Sequence, residues 1–353
     1  MKFSVAINMV RRDASYAPRD VWQHSLDMLR IAEEGGMHTA WAAEHHGLEF
    51  WYAANPFTIL TDWAARTSRI RLGVGVVVAP YWHPIRVAGE AGLVDLFSDG
   101  RLELGVARGA FTYEQVRMAG GPTPEQARSC VFEMMPLLKK LWAGDVAHDG
   151  ENWSFPSVTA APKPVQRPHP PLWLAARDPL SFDFAMKNEL DIMSTPLSKP
   201  IAEVASLRAK LDAAIAANPG AKRPRWMVLR TSGVAENPRD IDEIVAANAL
   251  HGKKFEGLFS TEGIVINGFP QVLDVDVGAS GGHSDQSVRE AMVLGSPDEV
   301  IEQLEDYVAL GIDEFCYNGH YGLDPALTKR SLELFVERVM PHFEGRDEKK
   351  AAG

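Results

Sequence analysis

Cysteine is almost missing from these 353 residues: Cys130 and Cys316 alone are present, far apart and in no CxxC spacing. A disulfide framework is thereby set aside, and two packed thiols in a reducing compartment are the expectation. Long apolar runs are missing too. None approaches the roughly 20 residues of a membrane-spanning helix, and Met1–Asp13 meets charge too soon to read as a signal peptide, so the cytoplasm is the expected location and no membrane partner is expected. Positive charge is scarce. A formal charge of −11 weighs against nucleic acid or an anionic membrane surface as the main partner and points to a small-molecule ligand, while a local basic pocket can still hold a phosphate. No internal repeat is found, and no GxGxxG fingerprint precedes a helix, which agrees with the lack of a built-in NADH site.

What is present is the composition of a soluble globular chain, 46% hydrophobic and 24% charged, long enough for one large barrel or two ordinary domains. Eight short β-rich runs recur: Phe3–Asn8, Thr39–Ala43, Ile70–Val78, Leu102–Val106, Leu172–Ala175, Asp191–Ser194, Trp226–Val234 and Glu314–Tyr317. Helical patterns lie between them, over Arg19–Glu34, Phe57–Arg66, Ile85–Phe97, Glu125–Leu141, Phe182–Asn188, Ile201–Ala217, Asp240–Ala249, Asp298–Leu310 and Pro325–Met340. Alternation of this kind implies a parallel sheet, and eight near-continuously apolar strands suit a closed (β/α)8 TIM barrel better than an open doubly wound sheet. We therefore expect one barrel domain over residues 1–343 and a disordered tail, 344–353. Two stretches exceed ordinary βα loops. Asp145–Pro171 reads as a hairpin followed by a stiff proline-rich approach to the fifth strand; Lys253–Arg289, rich in glycine yet carrying Phe269, Val272, Leu273 and Val275, reads either as a mobile lid or as a loose surface excursion.

Chemistry in a (β/α)8 barrel sits where strands end and βα loops begin. Glu44-His45-His46 stands there, after an apolar strand. Adjacent strand residues face opposite ways, so the two histidines are not expected to grip one metal ion, and no metal is expected. One histidine facing the mouth as an acid/base group, tuned by Glu44, is the reading that three terminal ionisable residues favour over simple packing. Gly73 and Gly75 weaken the third strand unless a ligand or another backbone approaches closely. Arg108 follows the fourth strand, where its fork suits a phosphate. After the fifth strand, Asp178 caps a helix with Pro179 at its first position, so that backbone N–H groups and the Ser181 hydroxyl form an anion site beside Arg177.

Four stretches then resemble the luciferase-like flavin-dependent monooxygenases, over nearly the whole length: AEHHG, the run from NPFTILTDWAARTSRIRLGVG to DGRLELGVARG, PKPVQRPHPPLWLAA, and GSPDEVIEQLEDYVALGIDEF. The resemblance implies that His45 is the active-site histidine beside the flavin ring, with Glu44 as its neighbour. It implies a non-prolyl cis peptide at Gly75 and Val76 behind that ring. Arg108 and Ser181 match positions that bind the flavin phosphate, whereas Arg177 and Asp178 stand where small or hydroxyl residues are common. Ala107 replaces a cysteine found in some members. Mechanistically, the resemblance implies reduced FMN, O2 as co-substrate, a C4a-peroxyflavin that inserts one oxygen atom, a separate NAD(P)H:flavin reductase and a homo-oligomer. The flavin carries the difficult chemistry while the protein orients substrate and excludes water.

Alternative readings stay open: hydride transfer with the deazaflavin F420, as in relatives of the same superfamily, a non-catalytic flavin-binding partner subunit, or a metal-dependent barrel hydrolase, for which no obvious ligand set is spaced. Trp51, Tyr52, Tyr81, Trp82 and Phe111 lie in loops placed to line an apolar or aromatic substrate pocket. Hydroxylation, Baeyer–Villiger insertion and oxidative cleavage are not distinguished by these residues.

Overall fold

A computed structural model of the chain describes residues 1–259, 264–319 and 322–344; nearly all of the expected disordered tail lies outside these residues. Eight parallel strands form the barrel: β1 (Lys2–Ala6), β2 (Thr39–Ala42), β3 (Arg71–Val78), β4 (Leu102–Ala107), β5 (Leu172–Ala175), β6 (Asp191–Ser194), β7 (Trp226–Val234) and β8 (Glu314–Asn318). Each pairs with the next in order, β8 pairs with β1, and the ring is closed. All eight were legible in the sequence. Among the described residues this sheet has a ninth strand, Val293–Gly295, which was not; three residues long, it pairs with the outer end of β7, Val293 opposite Ser232.

Helix starts are set by a recurring signal, a capping residue followed by proline. Asn55, Asp178, Asn237 and Asp324 accept a backbone N–H from the first turn, and Thr123 and Ser296 close full capping boxes. Proline at the first helical position lacks only a donor that would be unpaired there anyway. Most helices therefore begin one to three residues before their expected starts, as at Pro238 rather than Asp240, whereas those at Ile201 and Pro325 begin where expected.

Inside the ring, Trp41, Trp173, Met193, Met227 and Cys316 form a small apolar plug, with the two indoles edge to face at 5.6 Å. This explains Gly73 without a ligand: a Cβ there would lie 2.2 Å from the Trp41 indole. A larger apolar layer fills the space between the strands and the helices. The expected hairpin is present as Val146–Asp149 with Ser154–Val158. The helix starting at Pro238 continues to Glu256, seven residues past its expected end, so part of the expected insertion is helical. Gly252 permits this because a Cβ would meet the His283 ring at 2.4 Å. Beyond it, the Glu256 carboxylate accepts the Ser280 hydroxyl at 2.7 Å and faces His283 Nε2 at 3.1 Å, tying the second half of the insertion to the helix end.

Candidate active site

β2 ends at Ala42, so Glu44, His45 and His46 belong to the loop at the barrel mouth rather than to the strand. Their side chains diverge. Glu44, 3% exposed, accepts the Val78 N–H at 2.7 Å and the Trp82 indole N–H at 2.8 Å, and its Oε1 lies 2.6 Å from His46 Nε2. Burial opposes charge on His46, but the hydrogen bond and the charge of Glu44 outweigh it and raise its pKa. His45 turns to a different acid: its Nδ1 lies 2.9 Å from Glu114 Oε1. Its ring is clasped by Trp51, centroids 4.0 Å apart, and Phe111 at 5.2 Å.

A cavity of about 550 Å³ opens beside them, lined by Glu44, His45, Gly75 and Val76 on the β2–β3 side and by Arg108, Arg177, Asp178 and Ser181 on the β4–β5 side. The structure thus brings every expected catalytic and cofactor-binding residue to one space. The Gly75–Val76 peptide is cis. Of the expected substrate residues, Phe111 lines this cavity, whereas Trp51, Tyr81 and Trp82 do not. Trp51 packs behind His45 and Tyr81 against His46, while Trp82 is 8% exposed, holding Glu44 by its indole N–H. Each is too engaged with its neighbour to form a free wall.

The anion site expected at the helix after β5 is altered by its own cap. Asp178 accepts the Ser181 N–H at 3.1 Å and the Ser181 hydroxyl at 2.8 Å, so a carboxylate occupies that N-terminus. Positive charge comes from side chains instead. Arg128 and Lys210, unrecognised in the sequence, line the cavity with Arg108 and Arg177. The Nε atoms of Arg128 and Arg177 are buried without a hydrogen-bond partner among the described residues. A buried unpaired donor is costly, and a bound anion would relieve it. The signal for Arg128 was its place in the first turns of Pro124–Ala143, because helix N-termini in this fold face the mouth; nothing in the sequence singled out Lys210.

Glu114 was also missed. It sits on a short helix, Thr112–Ala119, whose N-cap Phe111 makes no side-chain capping bond, so the usual start signal is absent. From the long insertion, Phe259 reaches the cavity and packs on Phe111 at 4.9 Å. The apolar cluster around Phe269 to Val275 does not line it: Arg11 lies over the Phe269 ring, and Val272 is 48% exposed. Among the described residues, no group of three metal-ligating side chains occurs and no helix is long and apolar enough to cross a membrane.

Comparison with known proteins agrees along the chain. Residues 1–314 match the model of the luciferase-like monooxygenase family. The chain is 38% identical, over 97% of its length and 96% of the relative's, to the oxygenase component of a flavin-dependent trigonelline monooxygenase from Acinetobacter baylyi. Among solved structures it is similar to a monooxygenase from Streptomyces bottropensis, with TM-score 0.79 and 26% identity over 97% of this chain and 100% of that one. It shares its fold with the oxygenating constituent of 3,6-diketocamphane monooxygenase from Pseudomonas putida in complex with FMN, with TM-score 0.75 and 20% identity over 97% of this chain and 98% of that one.

Proposed function

The chain belongs to the luciferase-like monooxygenases and is a flavin-dependent enzyme that incorporates oxygen; from that premise we propose that its flavin is reduced FMN, its co-substrate O2 and its substrate a small aromatic molecule. The observation that carries this reading is the cavity itself, which joins a histidine on one side to four cationic side chains on the other, two of them with buried Nε atoms that have no partner among the described residues. A phosphate fits that donor set. Arg108, Arg128 and Lys210 would hold it, with Arg177 adding charge from its half-exposed position against Glu203 at 3.8 Å. Ser181 contributes through Asp178, by keeping that carboxylate turned onto its helix.

Bound there, reduced FMN supplies the activation of O2 and the transfer of one oxygen atom to the substrate. The residues of this chain do the rest. Val76 and Gly75 form the cavity wall where the ring is expected, and Phe111 and Phe259 keep water from the reacting region. His45 handles a proton there, with Glu44 shaping its loop through Val78 and Trp82. Reduced flavin would come from a separate NAD(P)H-dependent reductase, a reading supported by the relative named as an oxygenase component. Trigonelline, an N-methylated pyridine carboxylate, is the first substrate to test because that relative acts on it. A homo-oligomer would cover Leu93, Leu96 and Phe97, which are exposed together on the helix Pro84–Phe97; sedimentation of the Leu96→Glu variant tests this.

Anaerobic titration with reduced FMN and with reduced F420, followed by oxygen and trigonelline, checks the main proposal. Preferential binding of reduced FMN and an oxygenated product support it. Preference for reduced F420, with hydride transfer and no oxygen uptake, would replace it.

A further inference from the structure

The two histidine–glutamate pairs at the mouth are not equivalent. Glu44 is committed to the scaffold, accepting from the β3 backbone at Val78 and from Trp82 as well as facing His46. Glu114 has no strand to hold. It is 3% exposed, and its Oε1 lies 2.9 Å from His45 Nδ1 and accepts the His46 backbone N–H at 3.3 Å. The clasp of Trp51 and Phe111 limits how far the His45 ring can turn. With Nδ1 engaged, Nε2 is the ring nitrogen left to address the cavity.

The charged and titratable groups around His45 come from three elements. Glu44 and His46 share its loop, Glu114 lies on Thr112–Ala119, and His251 lies on Pro238–Glu256. Burial, followed by the charges of Lys254 and His45, pushes the His251 pKa down to about 3, so it is neutral and offers no counter-charge. Glu114 is the carboxylate in direct contact with the ring.

We propose that Glu114 is a positioning residue: it accepts a hydrogen bond from Nδ1–H of His45, so that the neutral imidazole presents an unprotonated Nε2 to the cavity and acts first as a base. This rests on the reading of His45 as the group that handles protons during oxygenation. A proton leaving the substrate breaks its bond to a substrate carbon or oxygen, which keeps the electron pair, and bonds to Nε2; the positive charge that results lies beside the Glu114 carboxylate rather than alone in an apolar clasp. An unanchored imidazole would favour the opposite tautomer and offer the cavity a donor.

The nitrogen-15 spectrum of the histidine rings tests this without flavin, substrate or turnover, so its failure is separable from failure of the functional reading. In the wild-type protein above the imidazole titration, His45, assigned by its loss in His45→Ala, should show a protonated Nδ1 and an unprotonated Nε2. Glu114→Gln, whose amide oxygen still accepts, should keep that pattern; Glu114→Ala should convert it to the Nε2–H form. With trigonelline as probe, kcat should fall ~10–100-fold in Glu114→Ala, the scale seen when the partner that orients a metal-bound imidazole is lost, with KM little changed and most of the loss recovered in Glu114→Gln. A wild-type His45 with its proton on Nε2 overturns the proposal even if Glu114→Ala does not fold. So does a Glu114→Ala protein that keeps the wild-type tautomer.

Discussion

The barrel carries buried charge at both ends, and the two ends treat it differently. At the floor, where the strands begin, Glu103 is 1% exposed and every strong partner is satisfied: it pairs with Arg71, accepts the Trp173 indole N–H at 2.6 Å and accepts Arg225 at 3.1 Å. Arg225 also holds Asp191 at 2.6 Å and lies over the Trp173 ring at 4.4 Å. At the mouth, Arg128 and Arg177 each keep a buried Nε without a partner among the described residues, and His45 lines the cavity with its Nδ1 held at Glu114. A closed network stabilises a fold and has nothing left to offer a ligand. An incomplete one is costly to the free protein and is completed by what binds. Polarity alone does not separate the two ends; the unfinished hydrogen bonding does.

The comparison is broken most severely by opening the floor. Glu103→Ala leaves the buried Trp173 indole N–H unpaired and takes one charged partner each from Arg71 and Arg225, which keep their others; it should cost ~3–5 kcal/mol of stability, from one unsatisfied buried donor and two charge-assisted hydrogen bonds at ~1–3 kcal/mol each. Urea unfolding would show it as a lower midpoint, while flavin affinity of the remaining folded fraction stays near wild type. At the mouth the pattern should invert. His45→Ala should leave the unfolding midpoint and the FMN affinity little changed but slow substrate oxidation by ~10²–10⁴-fold, the range for an acid/base group. His46→Ala should be milder in rate because its ring points to Glu44 rather than to the cavity. A His45→Ala protein that unfolds or loses flavin would make that histidine a floor-type residue after all.

Smaller in effect, Arg128→Ala should weaken FMN by ~1.5–3 kcal/mol, the net value of a hydrogen bond to a charged group, and riboflavin, which lacks the phosphate, hardly at all. Isothermal titration with both ligands separates these outcomes. Equal losses for the two would remove Arg128 from the phosphate site and leave its unpaired Nε without an account.

These contrasts mark what the sequence could and could not disclose. The eight strands and the mouth position of His45, Arg108 and Arg177 were legible, because apolar runs of strand length and the residues that end them are local signals. The partners were not. Glu114 lies 69 positions from His45 on a helix without a capping bond, and Phe259 follows a helix that was expected to end at Ala249 and runs on to Glu256. Gly73 was expected to admit a ligand or another backbone, but what approaches it is the Trp41 side chain, a register partner visible only once β2 and β3 are paired. The same holds for the aromatic loop residues. Trp51 and Trp82 were placed at the mouth correctly, yet whether an indole faces a cavity or props up a neighbour is decided by three-dimensional packing.

The finest test of the comparison is the pH response of the floor, where His38 and Glu314 face each other with Nδ1 and Oε2 3.7 Å apart. Burial, then the charges of Lys2, Arg71 and Arg225, lowers the His38 pKa from 6.5 to about 3. Burial raises that of Glu314 from 4.5 to about 7, with Glu103 adding to the rise and Ser4, Arg225 and Trp41 opposing it. The signs follow from linkage. The contribution of His38 is complete above pH 6.5 and is lost as pH falls towards 3; that of Glu314 is complete below pH 4.5 and is lost as pH rises through 7. Between pH 4.5 and 6.5 the two slopes oppose each other, because the folded pair holds its one proton on Glu314 and the unfolded pair holds it on His38. Glu314→Gln removes one of the slopes. The stability difference between wild type and this variant should therefore shift by about 1.4 kcal/mol per pH unit across that interval, the value of one proton, with wild type gaining relative to the variant towards acid. Urea midpoints at half-unit steps of pH measure it. A constant difference would mean that Glu314 is ionised in the folded protein and that the floor is not the closed, neutralised network that sets it apart from the mouth.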